Sequence, residues 1–261
     1  MDRFMICRIN TLTQAGSDLI NLMWFNPVFK VIAQKPGVEA KGTGFLLRVA
    51  KDPLNDVLGL ITCYHVVSYF DSQNRAHPVD PGQIDIEFES KAIPRMNLGE
   101  IQKPNTRPFY SEDHDLYFIL ISDKFASIME NNSIKFFDTM EASKDNQIWI
   151  PQYPEGEPLH VATALLVSEW TSEIPINPHK VSTRAGSSGA PLLQLYNNEL
   201  RVIGMHLGKC TNPTQNIAST IENIMSALKQ LIHGEVPEIP SLRILLGADS
   251  GSTSSMHAIF F

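Results

Sequence analysis

The stretch Gly186-Ser187-Ser188-Gly189-Ala190-Pro191 restricts this chain more than any other. Two glycines bracket two serines, so the backbone can turn sharply with its amides facing outward. A serine held in such a turn is a candidate nucleophile. Acyl transfer needs fixed N–H donors where negative charge develops on a carbonyl oxygen. It also needs a base, and an acid that orients the base. Distant parts of the chain must therefore converge on this turn. Ser188 suits the role better than Ser187, because Gly189 follows it directly and Pro191 lies three residues on. The amides of Gly186 and Ser188 could then face one oxyanion. A flexible Gly-Ser turn without chemistry is the plain alternative.

Two residues meet the demand for a base and an acid. His65 follows the apolar run Leu58-Gly59-Leu60-Ile61-Thr62-Cys63, at a junction of strand and loop. A general base belongs there, fixed by a sheet and exposed at its end. The chain has eight histidines, most of which must be structural. Asp115 opens the apolar run 116–121 and could accept the imidazole N–H; Asp113 and Glu112 are rivals. Asp115 is preferred because it abuts the strand directly.

The rest of the chain reads mainly as short strands. Val28-Phe29-Lys30-Val31-Ile32 and Gly44-Phe45-Leu46-Leu47-Arg48-Val49 are strand-like, with Gly42-Thr43-Gly44 a turn or a close approach of backbones. Ile84-Asp85-Ile86-Glu87-Phe88-Glu89 alternates as a half-buried strand does. Residues 122–142 are mixed and polar, a crossing between two halves. Strand signals resume at 147–150 and 162–169. A hairpin follows, 192–196 and 200–205, around Asn197-Asn198. Ser219-Thr220-Ile221-Glu222 reads as a capping box, and Ile221, Ile224, Met225, Leu228, Leu231 and Ile232 follow at helical spacing up to Gly234. The segment 1–24 is possibly helical, with Leu12, Leu19, Leu22 and Met23 on one face. The segment 235–261 is a Pro/Ser/Gly-rich tail or linker. The expected division is 25–125 around His65 and Asp115, and 126–234 around Ser188 and the C-terminal helix. Two runs of short strands suit paired antiparallel barrels better than a βαβ unit.

Composition narrows the partners. A formal net charge of −7 over 261 residues argues against a general nucleic-acid or anionic-membrane binder. No run approaches a membrane span, and Met1-Asp2-Arg3-Phe4-Met5-Ile6-Cys7 has no signal-peptide core. Three widely spaced cysteines, Cys7, Cys63 and Cys210, form no zinc pattern and suit a reduced, cytoplasmic protein. No metal and no cofactor are expected.

The order His65, Asp115, Ser188 and the motifs around them resemble the trypsin/chymotrypsin-like serine peptidases. Thr183-Arg184-Ala185-Gly186 with Gly189, and Val202-Ile203-Gly204-Met205-His206 with Gly208, resemble the picornaviral processing proteases, which usually carry cysteine where this chain has Ser188. Glutamyl endopeptidases share part of the pattern. The resemblance is concentrated in 183–208, is weaker around 42–67 and 115–121, and omits the first 24 residues and those after 234. It implies an all-β fold of two antiparallel six-stranded β-barrels, chymotrypsin-like, with a C-terminal helix. It implies an intracellular serine endopeptidase acting through His65, Asp115 and Ser188, with Gly186 and Ser188 as oxyanion donors. It further implies that Thr183 and His206 line a pocket for a P1 Gln or Glu, the alternative for His206 being a core histidine. Leu207 and Gly208 would offer a strand edge to a protein or peptide substrate. Two other readings stand beside this one: a protease fold that binds peptides without cutting, and an effector domain of a larger polyprotein or multidomain chain.

Overall fold

The computed structural model describes residues 6–8, 25–50, 57–174, 176–211 and 214–233. The expected helix around residues 12–23, the Asp52–Asp56 turn cluster, the Gly234 stop and the tail after it lie outside the described residues.

Among the described residues, two antiparallel seven-stranded sheets carry the fold, beside a two-stranded one, Ser68–Phe70 with Ala76–Pro78. The first runs in the order Met96–Asn97, Ile84–Phe88, Val28–Lys35, Val38–Ala50, Val57–Cys63, Leu116–Leu120, Phe109–Ser111. The second runs Ile6–Arg8, His160–Leu165, Gln147–Gln152, Pro191–Tyr196, Glu199–Thr211, Thr214–Thr220, Asn177–His179. The expectation of six strands in each is corrected to seven. The additional strands are short edge pieces: Met96–Asn97 pairs with Asp85 and Ile86, and Ile6–Arg8 pairs with 160–162. Strands of two or three residues give too little alternation to be read from sequence.

Where the pattern was long, sequence and structure agree. Ile84, Ile86 and Phe88 are buried, while Asp85 and Glu87 are partly exposed. Leu116, Tyr117, Phe118 and Ile119 are fully buried, as a central strand with two covered faces requires. The hairpin closes through Asn197 and Asn198, both at positive φ, 48° and 62°. That is the conformation a two-residue turn with matching twist demands, and asparagine tolerates it. Gly42-Thr43-Gly44 is not a turn: it runs through the middle of the strand Val38–Ala50. Its glycines are instead places of close approach.

Alternate residues of the second sheet face two cores. Ile148, Ile150, Leu192 and Ile203 pack together inside that sheet. Leu193, Val202 and Met205 point the other way, into a larger core shared with the first sheet and with Ile221, Ile224 and Leu228 of the C-terminal helix. The segment expected as a crossing contains a helix, Asp123–Asn131, capped where the Phe125 amide meets Ser122 Oγ at 3.3 Å. Phe125 and Met129, four residues apart, bury its one apolar face. Beyond it Phe137 bridges to Leu47 of the first sheet and Thr139 to Val202 of the second.

The C-terminal helix spans Ile221–His233. Its cap lies one residue later than the capping box predicted. Thr220 Oγ1 accepts from the Asn223 amide at 3.3 Å, whereas Ser219 is held in the preceding strand opposite Met205. Sheet pairing won over the local motif, and Glu222 Oε1 is left without a partner.

One close approach makes the core testable. A Cβ on Gly59 would lie 2.0 Å from the Phe118 ring and 2.8 Å from Ile119 O. Gly59→Ala is expected to cost about 1–3 kcal/mol by overpacking, read as a lower urea midpoint at unchanged slope. Adding Phe118→Leu should recover part of the loss.

Candidate active site

Sheet register brings His65 and Asp115 together. Cys63 pairs with Leu116, so the residue after one strand's end lies across from the residue before the other's start. The chain leaves Cys63 in a single 3-10 turn, Tyr64–Val67, and Asp115 stands at φ 48°. Left-handed backbone is uncommon outside glycine, and aspartate is among the residues enriched there. Asp115 then holds the turn at three points. Its carbonyl accepts from the Tyr64 amide at 3.1 Å. Its Oδ1 accepts from the His65 amide at 2.9 Å, and its Oδ2 meets His65 Nδ1 at 2.7 Å. Lys35 Nζ donates to the His65 carbonyl at 2.7 Å, fixing the turn from the far side. Asp115 is buried, while Glu112 is exposed. The ring contact is made by Asp115, not by its two rivals.

Ser188 lies in a turn shaped by Gly186 at φ 87° and Gly189 at φ 85°. The two serines differ in their contacts. Ser187 Oγ accepts from the Arg184 amide at 3.1 Å, and the Ser187 amide donates to Arg184 O at 3.0 Å, so Ser187 closes the turn. The Gly189 amide donates to His206 O at 2.8 Å. The amides of Gly186 and Ser188 have no hydrogen-bond partner among the described residues. A Cβ on Gly189 would lie 2.2 Å from Thr43 O and 3.0 Å from the Cys63 amide nitrogen. The serine turn therefore lies against the end of the strand that delivers His65.

Cys63 Sγ, His65 and Asp115 place one potential metal-ligating atom each within 4.8 Å of the others. Their chemistry suits hydrogen bonding better. The imidazole and carboxylate are bonded to each other, the thiol donates to His206 O at 3.4 Å, and burial pushes the thiol up from its ordinary range. Neither Cys63 nor Cys210 forms a disulfide among the described residues.

The second cluster centres on His206. It is buried, and its Nδ1 meets Nε2 of the equally buried His179 at 3.0 Å. Burial pulls His206 down to about 3 and lowers His179 well below its ordinary value, so both imidazoles are neutral near pH 7. His179 Nδ1 has no partner. The Ile217 backbone lies near both rings and opposes the effect of burial on each. His179 was not among the residues expected at the site; its one signal is a histidine in the short stretch Ile176-Asn177-Pro178-His179. Thr183 Oγ1 donates to Asn216 Oδ1 at 2.9 Å, and Asn216 Nδ2 donates to Val181 O. A cavity of about 690 Å³ is lined by Thr183, Asn216, His179, Lys180, Lys209 and the apolar Leu165 to Val167. Of the predicted site residues only Thr183 lines it.

Leu207 turns its side chain into the core, as the extra residue of a bulge between His206 and Gly208. Pairing with Pro191–Tyr196 stops at Met205, whereas pairing with Thr214–Thr220 continues to Thr211. From Leu207 on, one edge of this strand is unpaired among the described residues.

Several solved proteases share this architecture. The serine endoprotease from Yersinia pestis superposes with a TM-score of 0.57 at 13% identity, over 85% of this chain and 68% of that one. A Glu endopeptidase gives 0.51 at 15% identity, over 77% and 87%. A scabies mite inactivated protease paralogue gives 0.55 at 12% identity, over 83% and 98%. Neither a protein-family model nor a curated protein sequence matches the chain. The fold is the chymotrypsin-like one, mostly β with few helices.

The buried imidazole pair has a pH signature. Both groups bind fewer protons folded than unfolded, so their contribution is whole above the unfolded value near 6.5 and is lost as pH falls towards 3. Each should add a slope of up to about 1.4 kcal/mol per pH unit in that window. Denaturant titrations from pH 7 to 4.5 should show a steeper loss for the parent than for the double variant His179→Gln/His206→Gln.

Proposed function

We propose that this chain is a serine endopeptidase that cleaves through an acyl-enzyme, with Ser188 as nucleophile, His65 as base and Asp115 as its orienting acid. The observation that carries the reading is the double grip of Asp115 on His65, ring and amide together, beside a serine turn with two unspent amides. Asp115 holds the tautomer with the proton on Nδ1, so that Nε2 acts as the base, and stabilises the imidazolium that forms. Ser188 attacks the scissile carbonyl; His65 accepts its proton and later delivers it to the leaving amine. The amides of Gly186 and Ser188 receive the oxyanion. The substrate backbone pairs with the open edge at Leu207 and Gly208. No cofactor takes part, and the absence of a disulfide at Cys63 and Cys210 accords with an intracellular setting.

For P1 the reading is Gln or Glu. A neutral His206 with its proton on Nε2 donates to the side-chain oxygen. Thr183 donates its O–H to Asn216 and offers lone pairs, which suit the amide N–H₂ of glutamine better than a second carboxylate oxygen. An apolar P1 residue would leave the buried His206 N–H unpaired, which is the basis of rejection.

The second reading is a protease fold that binds peptides without cutting. The scabies mite protein, named as an inactivated paralogue, shows that the fold by itself does not decide activity. Here the chain carries Ser188, His65 and Asp115 together, which supports the enzyme reading. A fluorophosphonate probe distinguishes the two. The parent should label and Ser188→Ala should not, while Asp115→Asn should lower the labelling rate by about 10³–10⁴-fold. Absence of parental labelling would favour the binding module.

A peptide library should give cleavage after Gln, with Glu weaker. Dominant cutting after Phe, Lys or Arg would remove the pocket assignment while leaving the nucleophile untouched.

A further inference from the structure

The turn that would receive the oxyanion is not held by its own residues alone. Its two middle peptide planes are each pinned from outside. The Ala185 carbonyl accepts from the Glu155 amide. A trans peptide points its C=O and N–H in opposite directions, so the Gly186 N–H is directed away from the 153–157 segment. The Gly186 carbonyl accepts from Thr43 Oγ1 at 2.8 Å. By the same geometry the Ser187 N–H is turned the other way, where it meets Arg184 O at 3.0 Å. The brace fits tightly: a Cβ on Gly186 would lie 2.6 Å from Tyr153 O and 2.8 Å from the Glu155 nitrogen.

Thr43 ties the pieces together. It sits mid-strand in the first sheet and is fully buried. Its hydroxyl donates to Gly186 O and accepts from the Tyr153 amide at 3.0 Å, so one oxygen joins the turn to its brace. Its amide donates to Ser188 O at 2.9 Å, and its carbonyl accepts from Thr62 Oγ1 at 2.7 Å. A buried residue whose hydroxyl both donates and accepts, and three of whose hydrogen bonds reach the opposite half of the molecule, does more than fill space. Valine would fill that space as well. It would leave the Tyr153 amide and the Gly186 carbonyl unpaired and the 186–187 peptide free to rotate.

We infer that Thr43 is a positioning residue that sets the amides of Gly186 and Ser188 for catalysis, acting through the turn and touching no substrate. The inference rests on the serine-peptidase reading above. Thr43→Val should lower kcat by about 10- to 100-fold, below the loss caused by deleting an oxyanion donor outright, with KM within about threefold of the parent. Affinity for a peptide boronate should fall by the same factor, while affinity for a product peptide should hold. Thr43→Ser, which keeps the hydroxyl, should recover most of the rate. A parental kcat in Thr43→Val overturns the inference. So does an equal defect in both variants, because it would mark a packing role. Folding is checked by the thermal midpoint of each variant. With ¹⁵N-glycine labelling, the Gly186 amide resonance should shift or broaden in Thr43→Val and return in Thr43→Ser; an unmoved resonance overturns the inference. That readout needs no turnover, so it separates failure here from failure of the serine-peptidase reading, which a parent inert to fluorophosphonate would indicate.

Discussion

Asp115 spends both carboxylate oxygens on one residue, and the proposed site depends on it. One oxygen holds the His65 ring and the other holds the His65 main chain, so ring and backbone cannot move independently. The grip works because it is buried, where hydrogen bonds to a charged group are stronger than in water. It exists because two strands 50 residues apart pair in one register. Shifting Leu116 against Cys63 by one residue would turn Asp115 to the other face of the sheet. The fully buried run from Leu116 to Ile119 fixes that register, since a slip would expose its apolar side chains.

The two sheets meet at a second polar point. Thr43 from the first engages Gly186, Ser188 and Tyr153 from the second. Each such bond contributes only about 0.5–1.5 kcal/mol net, so the shared apolar core, not these bonds, holds the halves together. What the bonds supply is direction. The core joining Phe45, Leu47, Leu193, Val202 and Met205 brings the halves to contact distance. The hydrogen bonds then select how the peptide planes of the serine turn face. Gly42 and Gly44, which flank Thr43, allow the backbone to pass beside Val66 and the Phe29 ring, where a Cβ on either would clash.

Legibility followed the length of the pattern. The alternation in Ile84–Phe88, the apolar run before His65, the Asn-Asn turn and the periodic face of the C-terminal helix were all readable. The strands Ile6–Arg8 and Met96–Asn97 were not, because they exist only through their neighbours. The helix Asp123–Asn131 was missed because just Phe125 and Met129 mark its buried face. The capping box at Ser219 misled because a strand claimed that serine first. His179 was overlooked because nothing near it in sequence points to His206, 27 residues away.

The sequence by itself determined the local chemistry: a serine between glycines, a histidine at a strand's end, an aspartate at a strand's start, and an all-β pattern able to hold them. It also favoured Ser188 over Ser187, since glycine follows Ser188 directly. Tertiary structure decided what no local pattern encodes. It brought Asp115 rather than Asp113 or Glu112 to the imidazole, paired His206 with His179, directed the Thr183 O–H to Asn216, and placed Thr43 under the serine turn. The physical reason is range. Periodicity and turn preferences act over a few residues, whereas these contacts are made across sheet registers and between two halves whose packing the whole chain sets.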